Sequence, residues 1–131
     1  MSQSAATMPK VRIFEGSAEE VRNVRDFVGR FISGCSAADD VVLLASELAT
    51  NAVLHTASGA GGKFYVFVYA EDACIRVEVH DLGSATEPAV RDCDAPGESG
   101  TGLRLVENIA DRWGFHGGQH GRVVWFEVDC R

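Results

Sequence analysis

The chain reads as one α+β domain: a two-layer sandwich with three helices on one face of a mixed, mostly antiparallel sheet of about five strands. Three observations predict this. Three stretches carry apolar residues at three- and four-residue steps, the spacing of amphipathic helices. About five others are short, β-branched or aromatic, and bounded by turn residues, as strands are. The turn at Glu71-Asp72 and the glycine turn before the last strand join neighbouring strands directly, so antiparallel hairpins contribute to the sheet.

Composition sets the limits. The chain has 131 residues, 46% hydrophobic and 24% charged, enough for one core and too few for two. Residues 1–10 are small and polar and read as a flexible tail; residues 11–131 form the domain. The tail lacks the apolar centre of a signal peptide, and no apolar run approaches ~18 residues, so no membrane span is expected and the expected location is the cytoplasm. Net charge is −7 with no Lys/Arg cluster, which argues against direct nucleic-acid binding. Cys35, Cys74, Cys93 and Cys130 show no CxxC spacing, so zinc is not expected, and in a cytoplasmic chain all four should be free thiols.

Val11 to Phe14 is a short edge strand. Ser17-x-x-Glu20 has the form of a capping box, and Val21, Val24, Val28, Phe31 and Ile32 carry a first helix to about Ser33 before Gly34. Ser36 is placed to cap a second helix, with Asp39 and Asp40 in its first turn, where the helix dipole favours acids. Val41, Leu44, Ala45, Leu48 and Ala52 give that helix one apolar face, and it ends near His55. Ser58 to Gly62 is a glycine-rich turn. Phe64 to Tyr69 is apolar on both parities, as a central strand is. In Cys74 to Asp81, Ile75, Val77 and Val79 alternate with Arg76, Glu78 and His80, and Asp81 falls on the apolar parity. Leu82 to Ser99 lacks periodicity and reads as a mobile loop of the length that commonly serves function. A third helix is expected from Gly100 to about Trp113, with Leu103, Val106, Ile109 and Ala110 inward. Gly114 to Gly121 holds a short strand and a turn, and Val123 to Asp129 is the last strand.

Three segments carry chemistry. Glu47, Asn51 and His55 fall four apart on the second helix, so their polar heads point the same way. Taken alone, a solvated stripe looks the same. Asp81 is costly on an apolar parity unless something donates to it. Gly100-Thr-Gly102 opens a helix, where backbone N–H groups and the dipole suit an anion. There is no GxxxxGK[ST], and the third glycine of a dinucleotide fingerprint is missing.

In order, Glu47-x-x-x-Asn51, Asp81-x-Gly83 and Gly100-x-Gly102-Leu103 resemble the ATP-binding boxes of the GHKL (Bergerat-fold) superfamily. Residues 47–55, 77–81, 102–114 and 124–128 look most like its small bacterial anti-sigma-factor serine/threonine kinases. The resemblance spans about Phe14 to Val128.

It implies ATP and Mg²⁺ as ligands. Asn51 would give an amide oxygen to Mg²⁺. Asp81 would accept from the adenine amino group, and Gly83 would let the chain pass close to the base. Gly100, Thr101, Gly102 and Leu103 would hold phosphates beneath the loop, and Glu47 would be the general base. Relatives carry Thr in the last strand to help fix adenine; here that position aligns with Val123, a lost contact of roughly 1 kcal/mol. The implied partners are an anti-sigma-factor antagonist as phosphoryl acceptor and a sigma factor, with a homodimer left open. The resemblance also admits a non-catalytic module that sequesters a sigma factor and uses nucleotide as a signal. A detached histidine-kinase catalytic domain fits less well, since no preceding helical pair carries a phosphoacceptor histidine.

Overall fold

A computed structural model describes residues 8–55, 61–71, 73–83 and 101–130. The elements run β1 (Lys10–Glu15), α1 (Glu20–Gly29), α2 (Ala38–His55), β2 (Lys63–Glu71), β3 (Cys74–Asp81), α3 (Thr101–Ile109), β4 (Arg112–Gly118) and β5 (Gly121–Asp129). The strands form one sheet in the order β1-β2-β3-β5-β4, and every ladder among the described residues is antiparallel. The expected α+β sandwich is the fold observed.

Alternation separates the two faces. Phe64, Val66 and Val68 of β2, Ile75, Val77 and Val79 of β3, and Val124, Phe126 and Val128 of β5 are buried with Val41, Leu44, Leu48 and Ala52 of α2. At one end of the core Phe14 stacks on Phe64, with centroids 5.5 Å apart, and meets Phe27 of α1 edge-on. The opposite sheet face is polar and half-exposed. There Arg76 lies 4.1 Å from the Trp125 ring and pairs with Glu78 and Glu127, while Phe67 stacks on His80.

Several local expectations are corrected. No side chain caps α1; the Ser17 carbonyl accepts from the Glu20 N–H instead, so the turn closes through backbone. The helix then stops at Gly29, short of Ser33. The third helix ends at Ile109, where Ala110 N–H makes the last helical bond to Val106; Asp111 N–H already bonds Glu127 O, so Trp113 is a strand residue. Cys35 and Cys130 are joined in a disulfide, contrary to the free thiols expected. The fold sets the turn before α2 beside the end of β5, with the two Cα atoms 4.9 Å apart, within bridging distance. Cys74 is free, and Cys93 lies outside the described residues, as does the loop expected over Leu82–Ser99 from residue 84 onward. Among the described residues no helix is long and apolar enough to cross a membrane.

Candidate functional site

The elements that carry the three segments pack on one another: α2 lies against β3, β5 and α3. The apolar stripe of α2 faces the sheet, which leaves Glu47 and Asn51 half-buried at its margin, one turn apart. Burial raises the Glu47 carboxyl above its ordinary value, so it holds a proton more tightly than an exposed glutamate. Asn51 has its Nδ2 buried without a hydrogen-bond partner. A polar atom kept dry and unpaired is costly unless a ligand answers it. His55 closes the helix, and its side chain lies outside the described residues.

Asp81 ends β3 on the core side, and its side chain is 1% exposed. Its Oδ1 accepts from the Gly83 N–H at 2.7 Å. Its Oδ2 accepts from Arg122 Nε at 3.2 Å and from a terminal guanidinium nitrogen at 3.1 Å. Burial pushes the Asp81 carboxyl upward; the Arg122 charge and the Gly83 N–H pull the other way without cancelling it.

Arg122 is the partner of Asp81 that the sequence reading, which aligned Val123 with the relatives' threonine, did not single out. Asp81 stands opposite Arg122 in the β3–β5 ladder, while Val123 stands opposite His80 on the other face. A signal was present. Arg122 shares the parity of Val124, Phe126 and Val128, so β5 carries a charge on its core side just as β3 does. Two opposite charges that break the apolar parity of neighbouring strands are a candidate buried pair.

Gly83 has φ +90°, and a Cβ there would come within 2.3 Å of the Gly118 carbonyl oxygen. Its lack of a side chain is therefore required by the β4–β5 turn, whatever else passes nearby. Gly100 lies outside the described residues. Thr101 and Gly102 form the first turn of α3, which carries no acid to offset the dipole, and Leu103 is buried in the core rather than facing a ligand.

The residues present suit one magnesium ion in part. Asn51 offers a hard amide oxygen, and magnesium commonly takes one or two protein ligands and completes its shell with phosphates and water. No cluster of three acidic, histidine or cysteine side chains exists among the described residues, so no all-protein cage competes with that arrangement. A cavity of about 690 Å³ between α1 and α2 is lined by Arg22, Arg25, Thr50 and Leu54 and includes none of Glu47, Asn51 or Asp81. A smaller one, about 230 Å³, opens at Tyr65, Phe67, His80 and Asp81.

Two solved structures are similar. The RsbU and RsbW domains of Rv1364c from Mycobacterium tuberculosis superpose with a TM-score of 0.71 at 21% identity, over 95% of this chain and 33% of that one. This chain thus spans about a third of that structure. The catalytic domain of the histidine kinase ThkA superposes with a TM-score of 0.51 at 15% identity, over 92% and 96% of the two chains. At these identities the likeness is one of fold. No curated protein matches the chain. Residues 14–128 match the family described as the histidine kinase-like ATPase domain, a span that takes in the three helices, most of the sheet and every residue of the candidate site, so the chain belongs to that family.

Proposed function

We propose that this chain binds ATP with Mg²⁺ and transfers the γ-phosphoryl group to a serine or threonine hydroxyl of a protein partner, an antagonist of an anti-sigma factor. The observation that carries the reading is the pair on α2: a carboxyl made more basic by burial, one turn from a half-buried asparagine whose Nδ2 has no partner and whose oxygen is of the type magnesium takes. Membership of an ATPase domain family supports ATP as the nucleotide. The sequence resemblance, and a similar structure containing an RsbW domain, support the class of partner.

In this reading Glu47 accepts the proton of the attacking hydroxyl, which raises its nucleophilicity as it approaches phosphorus. Asn51 orients the metal through its amide oxygen. The N-terminal turn of α3, Thr101 to Leu103, would hold phosphate oxygens through its backbone N–H groups, with Gly100, the preceding residue in the sequence, proposed to assist. Magnesium, when bound, offsets charge on the phosphates. Incubation with γ-labelled ATP and candidate antagonist proteins tests the reading: label should pass to a hydroxyl of the antagonist, and its absence with every antagonist that binds would overturn the kinase assignment.

One observation favours a second reading. The carboxylate expected to read the base is already paired with Arg122. A module that sequesters a sigma factor and binds nucleotide loosely, without transfer, accommodates that pairing. Stable sigma-factor binding by a chain that transfers no phosphate would identify it.

A further inference from the structure

We propose that Arg122 is the specificity-determining residue of the base site: it stays paired with Asp81 when nucleotide binds, so the site does not select adenine through its 6-amino group. The inference rests on the ATP-binding reading above and concerns which feature of the base is read.

The geometry leaves the Asp81 carboxylate little to offer. Oδ2 already accepts two N–H donors from Arg122, and Oδ1 accepts the Gly83 N–H. Each carboxylate oxygen accepts about two hydrogen bonds. The oxygen facing Arg122 is therefore full, and the other is half used by the turn that leads out of β3. The side chains of Asp81 and Arg122 are 1% and 3% exposed, so a ligand can reach the pair only at its edge, from the small cavity lined by Tyr65, Phe67, His80 and Asp81.

Energetics decide whether the pair would open for a base. Separating a buried, hydrogen-bonded ion pair leaves both charges uncompensated in a dry environment. The return would be one hydrogen bond from a neutral amino group to the freed carboxylate. That bond is weaker than the two charge-assisted bonds it would replace, and Arg122 would still need a new partner. Backbone holds the pair in place as well, since Asp81 and Arg122 stand opposite each other in the β3–β5 ladder. What remains towards a ligand is a neutralised pair with no acceptor free on the oxygen that Arg122 holds. Such a surface tolerates a base with no amino group at that position.

The test compares two nucleotides that differ only in this group, Mg·ATP and the magnesium complex of purine riboside triphosphate, titrated calorimetrically into the wild-type chain and into Arg122→Thr. Threonine keeps strand preference and frees the carboxylate. The wild type should bind the two within about threefold of each other, and Arg122→Thr should favour ATP by roughly 10- to 100-fold, the value of one hydrogen bond to a charged group. A purely structural role for Arg122 would change both affinities together and leave their ratio alone. A wild type that already favours ATP tenfold or more overturns the proposal while leaving ATP binding intact, as does an unchanged ratio in the variant. If neither nucleotide binds the wild type, the ATP reading itself fails and this inference with it. If Arg122→Thr does not fold, the wild-type ratio decides alone.

Discussion

Cys35 and Cys130 close a loop of 95 residues, tying the turn before α2 to the end of β5. The bond joins the helical layer to the sheet at the margin of the core, where Ile32, Phe31 and Ile75 gather nearby. Constraining so long a loop removes much of the freedom of the unfolded chain, and bridges of this kind contribute about 2–4 kcal/mol. Reductant should therefore lower the melting temperature by several degrees, and Cys35→Ser should melt at the reduced value with or without it. Thiol titration of the unreduced chain in denaturant should count two free groups of the four cysteines in the sequence. Four, with a melting point indifferent to reductant, would contradict the bridge.

The polar sheet face should set the acid limit of stability. Glu127 accepts from Arg112 at 2.6 Å and from Arg76 at 2.9 Å. The Arg112 hydrogen bond does most to hold its carboxyl below the ordinary value of 4.5; burial opposes, and Arg76 adds to the lowering. For Glu78, burial alone would raise the carboxyl, but hydrogen bonds from His80 and Arg76 outweigh it. A carboxyl depressed by folding contributes stability that is present above its unfolded value and lost as pH falls through its folded one. Burial shifts Glu47 and Asp81 the other way, so their contribution is full at acid pH and declines as pH rises through their folded values. Glu127→Gln should then flatten the loss of melting temperature below pH about 4.5, the ordinary value for this carboxyl. An acid limb as steep as that of the wild type would show that Glu127 does not set it.

Gly83→Ala probes the turn out of β3. The φ of +90° disfavours any side chain, and a Cβ would meet backbone atoms of Gly118, Gln119 and Gly121 that cannot rotate away. Left-handed backbone costs about 1–2 kcal/mol for an L-residue, and overpacking typically adds 1–3 more. A loss of roughly 2–5 kcal/mol in a denaturant titration is expected. Neutral behaviour would mean that the β4–β5 turn can yield.

Much of this was legible because burial imposes a period. The three- and four-residue steps of Val41, Leu44, Leu48 and Ala52 placed α2 and, with it, the common direction of Glu47 and Asn51. Alternation in β3 put Asp81 on the core side. Features that depend on which strands become neighbours were not legible. The Cys35–Cys130 bond joins residues that only the strand order brings together. The resemblance directs attention to Val123, whereas the parity of β5 marks Arg122 as the inward residue. The end of α3 was misplaced because Trp113 continues a helical apolar spacing, while the ladder with β5 captures the backbone from Asp111 onward. Gly100 and most of the loop before it lie outside the described residues, so the phosphate side of the site rests on Thr101 to Leu103.

Glu47 and Asn51 together give the sharpest separation of chemistry from stability. Asn51 has a buried Nδ2 with no partner, so the native fold gains little from that atom. Asn51→Ala should leave the melting temperature of the free chain within a few degrees while removing the dependence of nucleotide binding on magnesium. Glu47→Ala should do the reverse in function. Its carboxyl sits one turn from Asn51 on α2, and the Asp81–Arg122 pair is held by its own hydrogen bonds, so nucleotide affinity should change little. General-base catalysis typically contributes ~10²–10⁴-fold, and single-turnover transfer to the antagonist should fall by about that much. Glu47→Gln removes the base while keeping shape and polarity, and should match Glu47→Ala in rate. If both variants transfer phosphate at the wild-type rate, Glu47 is not the base; if Asn51→Ala binds Mg·ATP as the wild type does, the Asn51 oxygen is not the metal's ligand.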